Sequence, residues 1–263
     1  MPQFSILLYH SIGTSCAPAY RRWMVTPGRF ARQIAYLADN GFHPVSISTL
    51  AAMLYSGEAP PEKVVAVTFD DGLRDFLLAL PVLERFEFAA SLFVVTSCIG
   101  STSRWLAPVG EGERPMLRSE ELEELAQRRI EVGAHTHTHP QLDVLPRAAA
   151  VDEITRSKQV LEDLLTAPVG AFAYPHGYAS KTTRRLVQQA GFTVACRVTH
   201  ALTSPREHPL ALSRIVMTNE IEEHHLARML NGTGLRIAPA VDRPTEFGWR
   251  IVRRVGHLLR VPT

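Results

Sequence analysis

KVVAVTFDDG, residues 63–72, is a continuously apolar run rich in β-branched residues that ends in two adjacent carboxylates. An unbroken apolar run of this kind predicts a strand covered on both faces, as strands of a parallel sheet are. Asp70 and Asp71 then lie at the carboxyl end of the strand, where α/β barrels carry their chemistry. Two adjacent carboxylates repel each other unless a cation lies beside them. The stretch therefore predicts a parallel sheet with a cation at its edge.

The rest of the chain repeats the same unit, a short apolar run followed by a helical pattern. Six or seven such units predict an α/β fold with a parallel sheet, which at this length closes into a barrel or nearly so. The further predicted strands are FSILLYH (4–10), FHPVSI (42–47), ASLFVVTS (90–97), IEVGAH (130–135), VGAFAYP (169–175), TVACRV (193–198) and ALSRIVM (211–217). Helices are predicted at 27–40, 49–57, 75–87, 119–129, 146–166, 180–190 and 220–231, with Thr26 and Ser48 as the N-caps of the first two.

Composition and charge exclude several classes of protein. The 263 residues are 46% hydrophobic and 21% charged, as in soluble globular proteins with a sizeable core. A formal net charge of +2 argues against nucleic acid as a partner, which normally requires a strongly basic surface. The three cysteines are scattered and form neither a metal motif nor a disulfide framework, which favours a reducing compartment. The N-terminus has no secretory signal pattern and no apolar run has the length of a membrane span, so a cytoplasmic location is expected.

Candidate catalytic residues lie where predicted strands end, as a barrel fold requires. They are His10, Asp70, Asp71, His135 and the stretch Tyr174–Pro175–His176. A solvated polar loop has no reason to follow that rule at four separate strands. The sequence therefore predicts one site at the carboxyl edge of the sheet.

Three histidines alternate in EVGAHTHTHPQL, residues 131–142, directly after the start of a predicted strand. Histidine is both a common metal ligand and a proton carrier near neutral pH. His135 and His139 can converge on one ion if the chain makes a helical turn after the strand, and His137 then points away. With one carboxylate they form a set that is common in catalytic zinc sites, three protein ligands and one position for water. His137 is expected to face solvent or to support a ligand.

Three motifs of the chain resemble those of the polysaccharide deacetylases of the NodB-homology type, carbohydrate esterase family 4. They are TFDDG (68–72), H-T-x-T-H-P (135–140) and FAYPHG (172–177). The resemblance extends over nearly the whole chain, from LLYHSIG (7–13) to LSRIVM (212–217). It implies a deformed (β/α) barrel with parallel strands and outer helices, which agrees with the strand count.

The resemblance also implies roles for individual residues. The first aspartate of TFDDG, Asp70, is the expected general base, and the second, Asp71, is the expected metal ligand. The first and last histidines of the second motif, His135 and His139, complete the metal set. The family uses an arginine to hold its base, and Arg214 in LSRIVM is the expected counterpart, with a structural ion pair as the alternative.

Two departures from the family pattern change the remaining assignments. Where many members carry R-P-P-Y, this chain has A-Y-P-H-G (173–177), so the backbone N–H of His176 is expected to hold the oxyanion, with Tyr174 and Pro175 beside it. The usual late H-D motif, which supplies the acid histidine, is missing after residue 200. The biofilm-polysaccharide branch has that histidine on its first strand, and YHSIG (9–13) is similar to it. His10 is therefore the predicted acid, with a histidine satisfied in the core as the alternative.

The function that the resemblance implies is a metal-dependent hydrolase. It would remove an N-acetyl group from an amino sugar in a polysaccharide, an oligosaccharide or a lipid-linked saccharide, with one divalent ion, expected to be Zn2+, as cofactor. The alternatives are another metal-dependent amidohydrolase or a deformylase, and a relative that binds saccharide without cleaving it. Amidohydrolase and phosphoesterase barrels also carry H-x-H at a strand end, but on the first strand, and TFDDG has no role in them.

The last residues are predicted to form a separate unit. Residues 1–240 are the expected catalytic domain, and residues 241–263 are an expected basic amphipathic helix. In FGWRIVRRVGHLLRVPT (247–263), basic residues recur at spacings of three and four on one face, and apolar residues fill another. Such a helix is typical of peripheral contact with a membrane surface, here the inner membrane. The alternative is a terminal helix that packs on the barrel with its arginines in water.

Overall fold

Strands and helices alternate along the chain, as the sequence predicts. The computed structural model describes residues 3–57 and 61–238. The strands are β1 (Gln3–Tyr9), β2 (Ser11–Ile12), β3 (Met24–Val25), β4 (His43–Pro44), β5 (Lys63–Phe69), β6 (Ala90–Val94), β7 (Ile130–Ala134), β8 (Ala171–Ala173), β9 (Val194–Cys196) and β10 (Ile215–Val216). The helices are α1 (Pro27–Asp39), α2 (Ile47–Tyr55), α3 (Leu80–Arg85), α4 (Ser119–Ala126), α5 (Arg147–Leu165), α6 (Lys181–Gln189) and α7 (Glu223–Leu230).

One parallel sheet organises the fold. Its strands follow the order β10-β1-β5-β6-β7-β8-β9, and the short β4 pairs with the first part of β5. The two edges of the sheet nearly meet, because Leu212 bridges to Cys196 in β9 and Ile215, three residues later, pairs with Leu7 in β1. The sheet is therefore a curled, almost closed (β/α) barrel, which confirms the predicted fold class.

The strands are buried on both faces, which explains why their sequences are apolar without alternation. In β5, Val65 and Val67 pack in one apolar cluster, while Val64 and Ala66 pack in another. The first cluster includes side chains of α1 and of α3 to α7, whereas the second joins residues of the sheet to Leu50 and its neighbours in α2. Helices thus cover one face of the sheet, and α2 packs against the other.

Local hydrogen bonds set the starts of the first two helices. Thr26 caps α1 as predicted, because its Oγ1 accepts from the Arg29 N–H at 3.3 Å. The prediction of Ser48 as the cap of α2 is wrong. Ser46 has an extended backbone and accepts from the Thr49 N–H at 3.3 Å, so the helix begins at residue 47. Because the cap at Ser46 already belongs to the helix, the predicted strand 42–47 is reduced to β4.

The predicted helix 75–87 is interrupted. A 3-10 turn spans Arg74–Leu78, and α3 begins only at Leu80. Pro81 has no N–H with which to continue the preceding turn, but proline is tolerated in the first turn of a new helix. The spacing of apolar residues does not predict this break, because the break depends on a single proline.

The predicted C-terminal unit lies outside the described residues. Both the boundary at residue 240 and the amphipathic helix at 241–263 fall beyond residue 238 and stay predictions. Within residues 3–57 and 61–238, none of the helices combines the length and the apolar character needed to cross a bilayer.

Candidate active site

The carboxyl ends of four strands carry the predicted site residues. His10 follows β1, and Asp70 and Asp71 follow β5. His135 follows β7, and a 3-10 turn at Pro175–Gly177 follows β8. Since these strands run in parallel within one sheet, the residues meet at the same edge.

Asp71, His135 and His139 form a compact set of metal-ligand donors. One donor atom from each lies within 4.8 Å of the others. Oδ1 of Asp71 is 3.4 Å from Nε2 of His139 and 3.7 Å from Nε2 of His135. Nδ1–H of His135 donates to the carbonyl oxygen of Ala173 at 2.8 Å, which leaves the Nε2 lone pair for a ligand bond. One carboxylate and two imidazoles fit a divalent ion such as zinc.

The charge states in this set suit metal binding. Burial lowers the pKa of His135 to about 4, so the ring is neutral near pH 7, as a metal ligand must be. Burial alone would raise the pKa of Asp71, but the hydrogen bond and the charge of His139 hold that pKa below its usual range. Asp71 is therefore ionised at physiological pH.

Left-handed backbone conformations position several of these side chains. Asp71, Thr136, His139 and His176 have φ angles of 78°, 65°, 66° and 58°. Residues other than glycine adopt this region at a cost, and such residues cluster at functional sites. The helical turn predicted after His135 does not form in this described segment. Instead, a bend brings His139 back, and its N–H donates to Oγ1 of Thr136 at 3.0 Å.

His137 takes no part in the ligand set, as the sequence predicts. Its Nδ1 lies 2.9 Å from Oγ1 of Thr96, and its backbone N–H donates to Oε2 of Glu153 at 2.9 Å. These bonds join the loop to α5 and to the chain after β6. The bond to Glu153 comes from the backbone of His137, so it anchors the loop that carries the two ligand histidines independently of the His137 side chain.

Asp70 is bound by Arg214 through two parallel hydrogen bonds. Nη1 and Nη2 of Arg214 donate to Oδ1 and Oδ2 of Asp70, each at 2.6 Å. Arg214 is 0% exposed, so the pair is removed from solvent. Arg214 also donates to Oγ1 of Thr68 and to the carbonyl oxygen of Arg197, each at 3.2 Å. This is the contact that a partner of the predicted base must make.

The pair keeps Asp70 charged and leaves it able to accept a proton. Burial alone would raise the pKa of Asp70, but the Arg214 guanidinium outweighs burial and holds the pKa below its usual range. Each carboxylate oxygen has two lone pairs, so each retains one after binding Arg214. Oδ2 of Asp70 lies 4.0 Å from Nε2 of His135. The free lone pairs therefore lie next to the ligand set.

His10 lies at the same edge with one ring nitrogen unused. Its Nδ1 is buried and has no hydrogen-bond partner among the described residues. The ring packs on Trp23, with the ring centres 4.8 Å apart. Burial lowers the pKa of His10, whereas the charges of Asp71 and Asp70 act in the opposite direction. A core histidine with satisfied hydrogen bonds does not describe this residue.

In the turn after β8, His176 is exposed, whereas the two preceding residues, Tyr174 and Pro175, are buried. The His176 ring lies 5.0 Å from the ring of His139. Tyr174 is 0% exposed, and its hydroxyl donates to the carbonyl oxygen of Leu210 at 2.9 Å. Pro175 is also buried. Tyr174 and Pro175 are thus buried beside His176, which is the exposed member of the three, and their predicted place at the oxyanion stays a prediction.

Three aromatic side chains that the sequence does not assign lie beside the site. Trp23 packs on His10, and Trp105 stacks on His139 with ring centres 5.0 Å apart and planes at 23°. Tyr20 is buried in a cluster against which Trp105 also packs. The sequence gives little signal for them, because all three lie in turns or short 3-10 helices of the connections that follow β1 and β6.

Arg114 connects these segments. It donates to Oε2 of Glu111 at 2.7 Å and to Oγ of Ser11 at 2.9 Å, and it forms an ion pair with Asp75. Its guanidinium lies 5.4 Å from the centre of the Tyr20 ring.

A cavity of about 340 Å³ lies along the same network, apart from the ligand set; its lining residues are Asp75, Gly110, Glu111, Glu113, Arg114 and Pro115.

Sequence comparison finds relatives over most of the chain. The family model described as Polysaccharide deacetylase matches residues 57–195. YxkH of Bacillus subtilis (strain 168), assigned by name to the polysaccharide deacetylases, is 26% identical over 211 residues, which cover 80% of this chain and 70% of that protein. The poly-beta-1,6-N-acetyl-D-glucosamine N-deacetylase of Escherichia coli (strain K12) is 29% identical over 139 residues. That match covers 51% of this chain and only 20% of the E. coli enzyme.

Solved structures share the architecture. The deacetylase PplD of Streptococcus pyogenes, in complex with acetate, superposes with a TM-score of 0.76 and 26% identity over 88% of this chain and 99% of that chain. IcaB from Ammonifex degensii superposes with a TM-score of 0.74 and 23% identity over 88% of this chain and 97% of that chain. Both comparisons agree with the barrel and its nearly closed sheet.

Proposed function

The chain belongs to the polysaccharide deacetylase family, and we propose that it hydrolyses the N-acetyl group of an amino sugar with the help of one divalent metal ion. The observation that carries the proposal is the contact between two sets of side chains. The ligand donors Asp71, His135 and His139 lie beside the buried Asp70–Arg214 pair, with Oδ2 of Asp70 4.0 Å from Nε2 of His135. The E. coli relative is named for its action on poly-beta-1,6-N-acetyl-D-glucosamine, which supports the substrate class.

Asp71, His135 and His139 are the residues that would hold the ion. Zinc fits the set best, since imidazole and carboxylate suit it and three protein ligands are usual in its catalytic sites. A bound divalent ion polarises the acyl carbonyl and lowers the pKa of water. Asp71 is buried with its carboxylate ionised, and the hydrogen bond from His135 to Ala173 orients the imidazole. Both kinds of ligand are therefore ready to bind an ion before it arrives.

Asp70 is the proposed general base. Its carboxylate is ionised, is held by Arg214 at two points and retains free lone pairs beside the ligand set. It would take the proton of the attacking water. Arg214 positions this carboxylate and does not touch the reacting atoms. The backbone N–H of His176, the exposed residue of the turn after β8, is the proposed donor to the oxyanion.

His10 is the proposed general acid. An amine leaves poorly unless it receives a proton, and the Nδ1 of His10 is a buried ring nitrogen without a partner among the described residues. Burial lowers the pKa of His10, and the charges of Asp71 and Asp70 offset part of that lowering. Water therefore adds to the acyl carbon, the C–N bond breaks, and the products are acetate and a free amino sugar.

Replacing His10 by Ala is expected to lower kcat/KM for acetate release by about 10²–10⁴-fold, the usual contribution of a general acid. The metal content should not change, because His10 is not in the ligand set. His137→Ala is the matched control, since its ring bonds Thr96 outside that set, and it should retain most of the activity. Steady-state rates together with metal analysis check the prediction. A near-normal rate in His10→Ala would assign the acid role elsewhere.

A substrate panel tests the proposed function. The chelated chain is supplied with zinc and incubated with N-acetylglucosamine oligomers, a lipid-linked N-acetylated sugar and an N-formylated sugar, and acetate and formate are measured. We expect acetate from an N-acetylated saccharide. Formate as the sole product would replace the proposal by a deformylase, and saccharide binding without either product would replace it by a binding protein.

A further inference from the structure

His139 differs from the other proposed histidine ligand in how its ring is oriented. Nδ1–H of His135 donates to the carbonyl oxygen of Ala173 at 2.8 Å, which is the usual way in which a protein orients a metal-bound imidazole. Within residues 3–57 and 61–238, the Nδ1 of His139 has no such partner, and its Nε2 lies 3.4 Å from Oδ1 of Asp71. The position of His139 therefore depends on groups of another kind.

The backbone between the two histidine ligands is held by a carboxylate of α5. Oε2 of Glu153 accepts from the backbone N–H of His137 at 2.9 Å and from that of Thr138 at 2.8 Å. Oε1 of Glu153 accepts from the hydroxyl of Thr138 at 2.5 Å. The next residue of the helix, Ile154, is buried in the main apolar cluster. Glu153 thus ties the loop to a helix that is itself fixed by packing.

This support matters because the loop has an unfavourable backbone at both ends. Thr136 and His139 have φ angles of 65° and 66°, a region that residues other than glycine adopt at a cost. Such a conformation persists only where neighbouring contacts hold it. The two N–H groups that bind Glu153 lie between these residues in the sequence. The carboxylate therefore stabilises the bend that brings His139 next to Asp71.

The ring of His139 is held by stacking on an aromatic side chain. The indole of Trp105 lies on it with ring centres 5.0 Å apart and planes at 23°. The rings of His135 and His176 approach to the same centre distance, but their planes are inclined at 62° and 64°. Trp105 thus makes a nearly parallel contact, which restricts the rotation of the imidazole in place of a hydrogen bond.

We propose that Glu153 and Trp105 are positioning residues of the metal site, Glu153 for the backbone that carries His139 and Trp105 for the ring of His139. The inference rests on the proposed function for the identity of the ligand set, to which neither residue belongs. A site whose ligands are oriented in advance binds its ion without first ordering them. Loss of a group that supports a metal ligand typically weakens metal binding by about 10–100-fold.

The zinc affinity of the chelated chain tests the proposal without any substrate. Glu153→Met keeps the length of the side chain and removes both acceptor oxygens, so we expect zinc to bind about 10–100-fold more weakly. Glu153→Gln should lose much less affinity, because its carbonyl oxygen has two lone pairs and can still accept from both backbone N–H groups. The dissociation constant is measured by competition with a chromogenic chelator.

Glu162→Met is the matched control for Glu153→Met. Glu162 lies on the same helix, and its Oε1 accepts from the backbone N–H of Val169 at 3.0 Å, outside the ligand loop. Its replacement should lower the free energy of unfolding of the metal-free chain and leave the zinc affinity unchanged. A merely structural role of Glu153 would give this same pattern in Glu153→Met.

Trp105→Leu removes the stacked ring and should weaken zinc binding by a similar factor. Trp105→Phe keeps a flat ring and should stay closer to the wild type. Trp23→Leu is the matched control, because Trp23 packs on His10, which is not in the ligand set, with ring centres 4.8 Å apart. It should leave the zinc affinity unchanged.

A wild-type zinc affinity in Glu153→Met or in Trp105→Leu would overturn the role of that residue, and an equal weakening in the two controls would overturn the proposal as a whole. If Glu153→Met does not fold, Thr138→Val replaces it. This change at an exposed residue removes one bond to Glu153, so a smaller loss of zinc affinity supports the proposal and an unchanged affinity overturns it.

Failure of the proposed function has a different signature, namely a wild-type chain that binds zinc tightly but releases no acyl product. The comparison of zinc affinities decides the question in that case as well. A wild-type chain that does not bind zinc would overturn both proposals.

Discussion

Replacing Asp70 by Asn is expected to lower kcat for acetate release by about 10²–10⁴-fold while the chain still binds its metal ion. Asparagine has nearly the same shape as aspartate, but its amide cannot take a proton from the attacking water. The ligand donors Asp71, His135 and His139 are untouched by the change. Metal content and acetate release are therefore measured on the same sample, below the melting temperature of the variant.

Asp71→Asn is the matched control, because it makes the same chemical change one residue further along the chain. Asp71 provides the oxygen that lies 3.4 Å and 3.7 Å from the two histidine nitrogens, so its replacement should remove both metal and activity. The reverse pattern, in which Asp70→Asn loses the metal and Asp71→Asn keeps it, would exchange the roles of the two aspartates.

Replacing Arg214 by Met is expected to destabilise the fold by about 3–5 kcal/mol, the cost of leaving one partner of a buried ion pair alone. Arg214 is 0% exposed and donates two hydrogen bonds of 2.6 Å to Asp70. Neither water nor another cation can therefore take the place of its guanidinium at low cost. Turnover should fall as well, because the base loses the group that orients it. Urea unfolding of the chelated wild type and variant measures the free energy directly.

The effect of Arg214→Met should depend on pH. In the wild type, Arg214 holds the pKa of Asp70 below its usual range, so the stabilisation is present above the unfolded-state pKa of about 4 and is lost as pH falls through the lower folded-state pKa. In the variant, burial loses its main opponent and raises the pKa of Asp70, so the charged carboxylate destabilises the fold near pH 7. The loss of unfolding free energy caused by Arg214→Met therefore becomes smaller as the pH falls and Asp70 takes up a proton. The difference in unfolding free energy should therefore be larger at pH 7 than at pH 5.

The double variant Asp70→Asn/Arg214→Met is the control for this prediction. It leaves no charge buried at the position, so it should recover part of the stability that Arg214→Met loses. A loss below about 1 kcal/mol in the single variant, or the same loss at both pH values, would contradict a buried and mutually dependent pair.

The parallel barrel could be predicted because its strands carry the signal in their own residues. β1 and β5 are buried on both faces, and a strand of that kind is apolar over most of its length, as KVVAVTF is. Element ends were predicted less well, because a single side chain decides them. Ser46 moves the start of α2 by two residues, and Pro81 divides a helix that the periodicity shows as continuous.

The ligand donors could be predicted for a related reason. Residues at the carboxyl ends of parallel strands are brought together by topology, so Asp71 and His135 meet although 64 positions separate them in the sequence. The path from His135 to His139 was predicted as a helical turn, but left-handed residues form a bend instead. The spacing of apolar residues in a sequence carries no information about such a backbone conformation.

The positions of Tyr20 and Trp105 could not be predicted from the sequence. Tyr20 lies in a turn and Trp105 in a short 3-10 helix, and the course of these connecting segments depends on long-range contacts such as those of Arg114 with Ser11, Glu111 and Asp75. Such segments have no repeating pattern that would tell which side chain turns toward the site. Their positions became visible only with the three-dimensional packing.

A zinc titration of the chelated chain tests the central claim most directly. Zinc is added in steps, and bound zinc and acetate released from an N-acetylglucosamine oligomer are measured in the same samples for the wild type, His137→Ala and His135→Ala. We expect no activity without metal and a rise in activity in proportion to zinc occupancy up to one ion per chain. His137→Ala should follow the wild type, and His135→Ala should neither bind zinc tightly nor release acetate. Acetate release by the chelated wild type, or by His135→Ala without bound metal, would contradict a metal-dependent deacetylase centred on Asp71, His135 and His139.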